Sequence, residues 1–185
     1  HRPGSFLSQR VFTPDKKVAL APNILFDQSQ KLDEDFNDFL NRKGQFRLIT
    51  KRAVTTHNSW THNLERMVAN GRHTNFLYLH SGDGEKLDLK ENDLADVRSE
   101  TGSVRIPVKY LDELMPGTVA LPHGWGHQHA NGLSIARKTT GVNVNLLAAD
   151  GPVKLEKVSG MAHLTGIPVT ITKAKGKQAP TWSGL

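Results

Sequence analysis

The stretch His123-Gly124-Trp125-Gly126-His127, with His129 just beyond it, brings three histidines and a tryptophan together within seven residues of the 185-residue chain. Glycines on either side of the tryptophan let the backbone approach a neighbour closely or adopt dihedrals closed to other residues. The H-x3-H-x-H spacing of His123, His127 and His129 suits three roles. Imidazole is the commonest protein ligand for zinc, copper and iron, so a metal site is one. The spacing matches no strong zinc signature, and no Cys, Asp or Glu stands nearby in sequence to complete a tetrahedron. Loop histidines that are solvated or bonded to the backbone are the second role. Histidines that touch a bound ligand are the third.

A second polar run covers Thr50, Lys51, Arg52, Ala53, Val54, Thr55, Thr56, His57, Asn58, Ser59, Trp60 and Thr61. It falls between an expected strand end and an expected helix start. Free N–H groups at a helix N-terminus attract anions, and Arg52 adds a bidentate contact. Thr55, Thr56, Asn58 and Ser59 supply short polar arms, so a diphosphate or a polar heterocycle suits this loop. The plainer alternative is that Arg52 is a surface charge and Asn58 or Ser59 only caps the helix.

No catalytic set is evident. There is no G-x-S-x-G elbow and no Walker lysine, and Gly82-x-Gly84 is too short for a nucleotide fingerprint. Asp83, in Ser81-Gly82-Asp83-Gly84, reads as a turn residue rather than a catalytic acid.

Patterning supplies the elements that hold these loops. Leu32, Phe36, Phe39 and Leu40 repeat at helical spacing, with Asp33, Glu34 and Asp35 where the helix dipole favours them. Arg42-Lys43-Gly44 ends that helix. Residues 17–20 read as a short strand in the lead-in. Strands are expected at 46–52, where Phe46, Leu48 and Thr50 share a face, and at 75–80. Trp60, Leu64, Met67 and Val68 predict a helix over 59–69, capped by Asn58 or Ser59 and stopped by Asn70-Gly71. Residues 81–87 form a turn and a short helical segment. Residues 94–99 and 103–110 form a hairpin whose Gly102 takes positive φ. Pro107 removes one ladder donor, which makes its strand partly an edge or bulged. Met115-Pro116-Gly117 fits a type II turn into a strand at 118–121. Residues 128–140 are polar and irregular, 143–149 form one helical turn, and Ile167, Val169 and Ile171 alternate in a last strand.

Composition bounds the rest. The hydrophobic share is 37% and the formal charge is +6. No apolar run approaches the roughly 20 residues a membrane span needs. There is no cysteine, hence no disulfide frame and no Cys-ligated zinc or iron–sulfur cluster. The positive charge favours anionic partners, but the sparse aromatics are not interleaved with a basic stripe, so nucleic acid is not the leading partner. The chain opens His1-Arg2-Pro3-Gly4, with no initiator Met or signal-peptide core. It is therefore expected to be a piece of a longer protein, and a cytoplasmic location is favoured.

The order of these features resembles the C-terminal molybdopterin-dinucleotide-binding domain of the molybdopterin oxidoreductases, the group of dimethyl sulfoxide reductase, formate dehydrogenases and nitrate reductases. The resemblance covers roughly residues 45–172 and begins with the lead-in Phe12-Thr13-Pro14-Asp15. It is carried by Leu48-x-Thr50-x-Arg52 with His57-Asn58-Ser59, then by Asn92-Asp93-x-Ala95-x-Val97-x-Ser99-x-x-Gly102. Met115-Pro116-Gly117-x-Val119, Pro122-x-Gly124-Trp125-Gly126-His127, Asn143-Val144-Asn145 and Gly166-Ile167-Pro168-Val169 complete it.

The resemblance implies a mainly β fold, a six-stranded double-psi β-barrel with short peripheral helices. The domain plan is then a lead-in segment with one amphipathic helix at 1–44, the barrel domain at 45–172 and, from Lys173, Lys175 and Lys177, a basic flexible tail at 173–185. The resemblance also implies a bis(pterin guanine dinucleotide) cofactor carrying molybdenum or tungsten. Thr50, Arg52, Val54, His57, Asn58 and Ser59 would line the pterin and diphosphate. Gly124, Trp125, Gly126 and His127 would form a second wall, its glycines admitting the pterin, and Asn145 a third contact. No residue of this chain is implied as a metal ligand or catalyst. The metal ligand and any iron–sulfur cluster would lie in other domains of the parent enzyme. The isolated chain is expected to hold little or no cofactor and not to catalyse. Two alternatives of other classes remain: a stand-alone double-psi barrel that binds protein or nucleic acid, and a small metal enzyme built on His123, His127 and His129.

Overall fold

The computed structural model of the chain describes residues 9–41 and 44–176. The chain divides into two units, His1–Lys43 and Gly44–Leu185.

The first unit carries helices α1 (Asn23–Ser29) and α2 (Leu32–Asn41). Asp33, Glu34 and Asp35 occupy the first turn of α2, as the dipole argument requires. Its apolar residues Leu32, Phe36 and Leu40 are all more than half exposed. The expected strand at 17–20 is absent: the segment is irregular, with Leu20 almost wholly exposed. Three apolar residues without a partner strand cannot offset the entropy of ordering one. The helix stop at Arg42-Lys43 lies outside the described residues.

The second unit is a closed six-stranded barrel in the order β1-β5-β2-β4-β3-β6. The strands are β1 (Phe46–Lys51), β2 (Leu77–Leu79), β3 (Leu94–Arg98), β4 (Ser103–Tyr110), β5 (Thr118–Pro122) and β6 (Thr165–Lys173). The pairs β1–β5 and β2–β4 are parallel, and the other four, β5–β2, β4–β3, β3–β6 and β6–β1, are antiparallel. The fold is a double-psi β-barrel, mainly β, with short helices α3 (Glu65–Val68) and α4 (Ser81–Lys86) at its periphery. Period-two alternation sends Leu48, Leu77, Leu79, Val97, Val104, Ile106, Val108, Val119, Leu121, Val169 and Ile171 into one core. Burying each such side chain contributes about 1.5–3 kcal/mol.

Pro107 is buried where β4 leaves β3 and takes up β2, so its missing N–H falls at a change of partner. Gly102 does not take positive φ. Glycine is required there because a Cβ would collide with the carbonyl oxygen of Leu146. Gly117, at φ +83°, and the bond from Thr118 N to Met115 O (2.9 Å) form the expected turn before β5. Asp83 is structural: its Oδ2 accepts from Gly117 N at 2.6 Å and its Oδ1 from Lys86. Lys173, expected in a flexible tail, instead closes β6, and its ammonium pairs with Asp88 and Asp93. The end of that tail, 177–185, lies outside the described residues.

Candidate functional site

Strands β1 and β5 run parallel, in register from Arg47↔Thr118 to Lys51↔Pro122. They therefore end together, and His123 N donates to Lys51 O (3.0 Å) to extend the ladder one step. Antiparallel β2 begins at this same end. The loops after β1, after β5 and before β2 thus share one rim of the barrel.

The loop after β1 differs from its expected form. No helix starts at Asn58 or Ser59; α3 spans only Glu65–Val68, with no side-chain cap. His57 (φ 29°) and Asn58 (φ 59°) are left-handed, and the chain proceeds by i→i+3 bonds such as His62 N to Ser59 O (3.2 Å). Left-handed residues cannot open an α-helix. The helix-terminus anion site therefore falls, and the loop's binding capacity lies in its side chains. Trp60 is 83% exposed rather than part of an apolar helix face. Thr56 turns inward, its Oγ1 donating to Ala53 O at 3.0 Å. Arg52, Val54, His57, Asn58 and Ser59 are exposed, and Thr50 is half-buried in β1.

The loop after β5 packs directly on this one. Gly124 has φ +90°, and a Cβ there would strike the carbonyl of Asn58. Gly126 has φ +99°, and a Cβ there would meet Asn143 at 2.6 Å. These glycines bring three loops of the chain against one another, rather than opening room for a ligand. Trp125 is 5% exposed and lies against Gly141 and His62. It is a brace under the wall, not part of the wall's face. His127 Nε2 sits 2.8 Å from Gly124 O and 3.0 Å from His62 Nδ1. Burial, and secondarily His127, lower the His62 pKa to about 4.

Three residues escaped the motif reading. His62 is the partner of both Trp125 and His127. Asn75 donates to Pro122 O (2.8 Å) and Val142 O (3.0 Å) and accepts from Val142 N (2.9 Å), which ties the start of β2 to two loops. Asn63 Oδ1 accepts from Ile135 N and Ala136 N. Polar residues inside a supposed helix face, and an Asn opening an expected apolar strand, were the available signals.

Asn145 is exposed on a 3-10 turn, Val144–Leu147, whose capping residue Asn143 abuts Gly126. Segments 50–59, 124–127 and 143–145 are thus contiguous in space as well as grouped in the motif. Among the described residues, no group of three His, Cys, Asp or Glu is placed to hold a metal ion. The metal reading of His123, His127 and His129 therefore lacks a site. On this rim the side chains of Arg52, His57, Asn58, Ser59 and Asn145 make no hydrogen bond or ion pair among the described residues. A guanidinium, an imidazole, two amides and a hydroxyl left uncommitted match the acceptors of a diphosphate and the mixed donors and acceptors of a pterin.

A closed double-psi barrel with a polar, uncommitted rim of loops at one end defines a ligand-binding domain. The chain belongs to the molybdopterin dinucleotide-binding domain family: the family model described as "Molydopterin dinucleotide binding domain" matches residues 46–164. It is 32% identical over 125 residues to the menaquinone reductase, molybdopterin-binding-like subunit, of Nitratidesulfovibrio vulgaris, matching 68% of this chain and 17% of that protein. It is 30% identical to a tetrathionate reductase subunit of Salmonella typhimurium, over 54% of this chain and 11% of that protein. The chain thus spans less than a fifth of either relative's length. Its fold is similar to part of acetylene hydratase from Pelobacter acetylenicus, with a TM-score of 0.66, 19% identity, and coverage of 88% of this chain and 24% of that one.

Proposed function

We propose that the chain is the domain of a molybdenum or tungsten oxidoreductase that closes over a bis(pterin guanine dinucleotide) cofactor. The observation that carries this reading is the convergence of 50–59, 124–127 and Asn145 on one barrel rim, where the side chains of Arg52, His57, Asn58, Ser59 and Asn145 make no hydrogen bond or ion pair among the described residues. The cofactor, when bound, supplies the redox chemistry; the protein's part is binding and orientation. Arg52 would neutralise diphosphate charge. His57, Asn58, Ser59 and Asn145 would bond pterin and phosphate heteroatoms, with Thr50 and the exposed Val54 beside them. Gly124, Gly126 and His127 would hold the second wall in place, with Trp125 behind it. The metal ligand and the substrate funnel would belong to other domains of the parent. The curated relatives are named for menaquinone and tetrathionate reduction, so the reading extends to the oxidoreductase class and not to a formate or nitrate subtype.

The test is Arg52→Ala in the full-length parent, with pterin and metal content measured per polypeptide. Occupancy falls by roughly 1–2 orders of magnitude in affinity terms, the loss of one charge-assisted contact. Unchanged pterin and metal content would overturn the reading. Salt-dependent binding of nucleic acid by the chain, alongside unchanged occupancy, would favour the stand-alone binding module.

A further inference from the structure

The exposed rim accounts for ligand contacts but leaves one buried group unexplained. His62 is 0% exposed. Its ring centroid lies 4.1 Å from that of Trp125 at a 40° tilt, and 5.1 Å from that of His127 at 70°. Its Nδ1 is 3.0 Å from His127 Nε2, which is itself 2.8 Å from the carbonyl oxygen of Gly124.

The proton positions follow from the acceptors. A carbonyl oxygen only accepts, so His127 Nε2 carries the proton and directs it at Gly124 O and His62 Nδ1 together. His62 Nδ1 is then an acceptor, and the single ring proton of His62 is on Nε2. That atom is buried and has no hydrogen-bond partner among the described residues, and Trp125 Nε1 is in the same condition. A buried donor left without an acceptor destabilises the fold, because it gives up its hydrogen bond to water and gains none in return. A hydrocarbon ring at position 62 would fill the same volume without that penalty. The chain keeps a histidine where packing alone favours phenylalanine, and such conflicts concentrate at functional sites.

We infer that His62 is the positioning residue of this rim: through its Nδ1 it fixes His127, through its ring face it fixes Trp125, and so it sets the 124–127 wall against the loop after β1. This rests on the cofactor reading above. Neutral His62 is the required form, because a proton on Nδ1 would confront the N–H of His127.

Two substitutions separate the hydrogen bond from the packing. His62→Phe keeps a ring and removes the acceptor; His62→Asn keeps an acceptor near the Nδ1 position and removes the ring. In the 185-residue chain, long-range proton–nitrogen correlation spectra should show wild-type His62 as the Nε2–H tautomer and His127 with a protonated Nε2. His62→Phe should unfold at a temperature equal to or above wild type, while the His127 signals shift. In the full-length parent, His62→Phe should release pterin and metal roughly 10- to 100-fold faster, the usual effect of removing a supporting-shell partner. His62→Asn should recover most of that loss.

Wild-type retention of cofactor by His62→Phe would overturn the inference, as would a failure of His62→Asn equal to that of His62→Phe. If His62→Phe does not fold, the wild-type spectrum decides, and an Nδ1–H tautomer at His62 would overturn it. Unchanged occupancy in Arg52→Ala would remove the cofactor reading, and the spectra would still test the His62–His127 geometry separately.

Discussion

At the scale of single residues, the site is set by where side chains are forbidden or uncharged. Gly124 combines a left-handed φ with a Cβ position already occupied by the Asn58 carbonyl. Gly117 has a similar φ of +83° but open space at its Cβ position. Gly117→Ala should therefore cost the backbone term alone, about 1–2 kcal/mol. Gly124→Ala must also displace a loop and should cost at least about 2–4 kcal/mol. Denaturant unfolding of the two variants separates these terms, and equal losses would mean the two loops do not touch. His62 gives the pH dependence its sign. Its pKa falls from 6.5 in the unfolded chain to about 4 in the fold, so both states are neutral at pH 7. As pH drops below 6.5 the unfolded state takes up a proton that the native state refuses, and stability falls until pH nears 4. The loss is on the order of 2–3 kcal/mol. Glu156, held near 2 by the N–H groups of Ser159 and Val158, stays charged across that window. Unfolding midpoints from about pH 7 to 4 should slope steeply for wild type and less for His62→Asn.

At the scale of elements, the strands of the barrel were legible, the strand expected at 17–20 was not formed, and loop conformations were not legible. The alternation of Val104, Ile106 and Val108 found the core face of β4, and Leu32, Phe36 and Leu40 found α2. Each pattern reflects a local period that the fold obeys. The spacing of Trp60, Leu64, Met67 and Val68 mimicked a helix, yet of these four only Val68 is buried. Left-handed His57 and Asn58 broke the run, and i→i+3 bonds replaced it. The roles of Gly102, Gly124 and Gly126 depend on a neighbour distant in sequence, which no local pattern reveals. The same holds for Asn75, whose three bonds reach residues 47 and 67 positions away. Asn75→Ala leaves buried backbone groups of Pro122 and Val142 without partners, and should lower stability by about 2–4 kcal/mol. In the full-length parent it should also weaken cofactor retention, because the loop after β5 loses its anchor. A loss under about 0.5 kcal/mol in chemical denaturation would show that these loops hold together without it.

At the scale of the whole molecule, barrel closure is what turns scattered motifs into one rim. The pairs β1–β5 and β1–β6 join segments about seventy and more than a hundred residues apart, and alternation alone does not select them. The order of the motifs did, through their resemblance to a family whose model the chain matches over 46–164. The helices of the first unit show exposed apolar faces at Ile24, Phe26, Leu32, Phe36 and Leu40. If this barrel rim holds the dinucleotide cofactor, hydrogen exchange of the full-length parent, compared with and without cofactor, registers it. The cofactor should slow exchange in 52–61, 123–127 and 143–147 while leaving the hairpin of β3 and β4 unchanged. Slowing elsewhere in the chain, with those three segments unaffected, would contradict it.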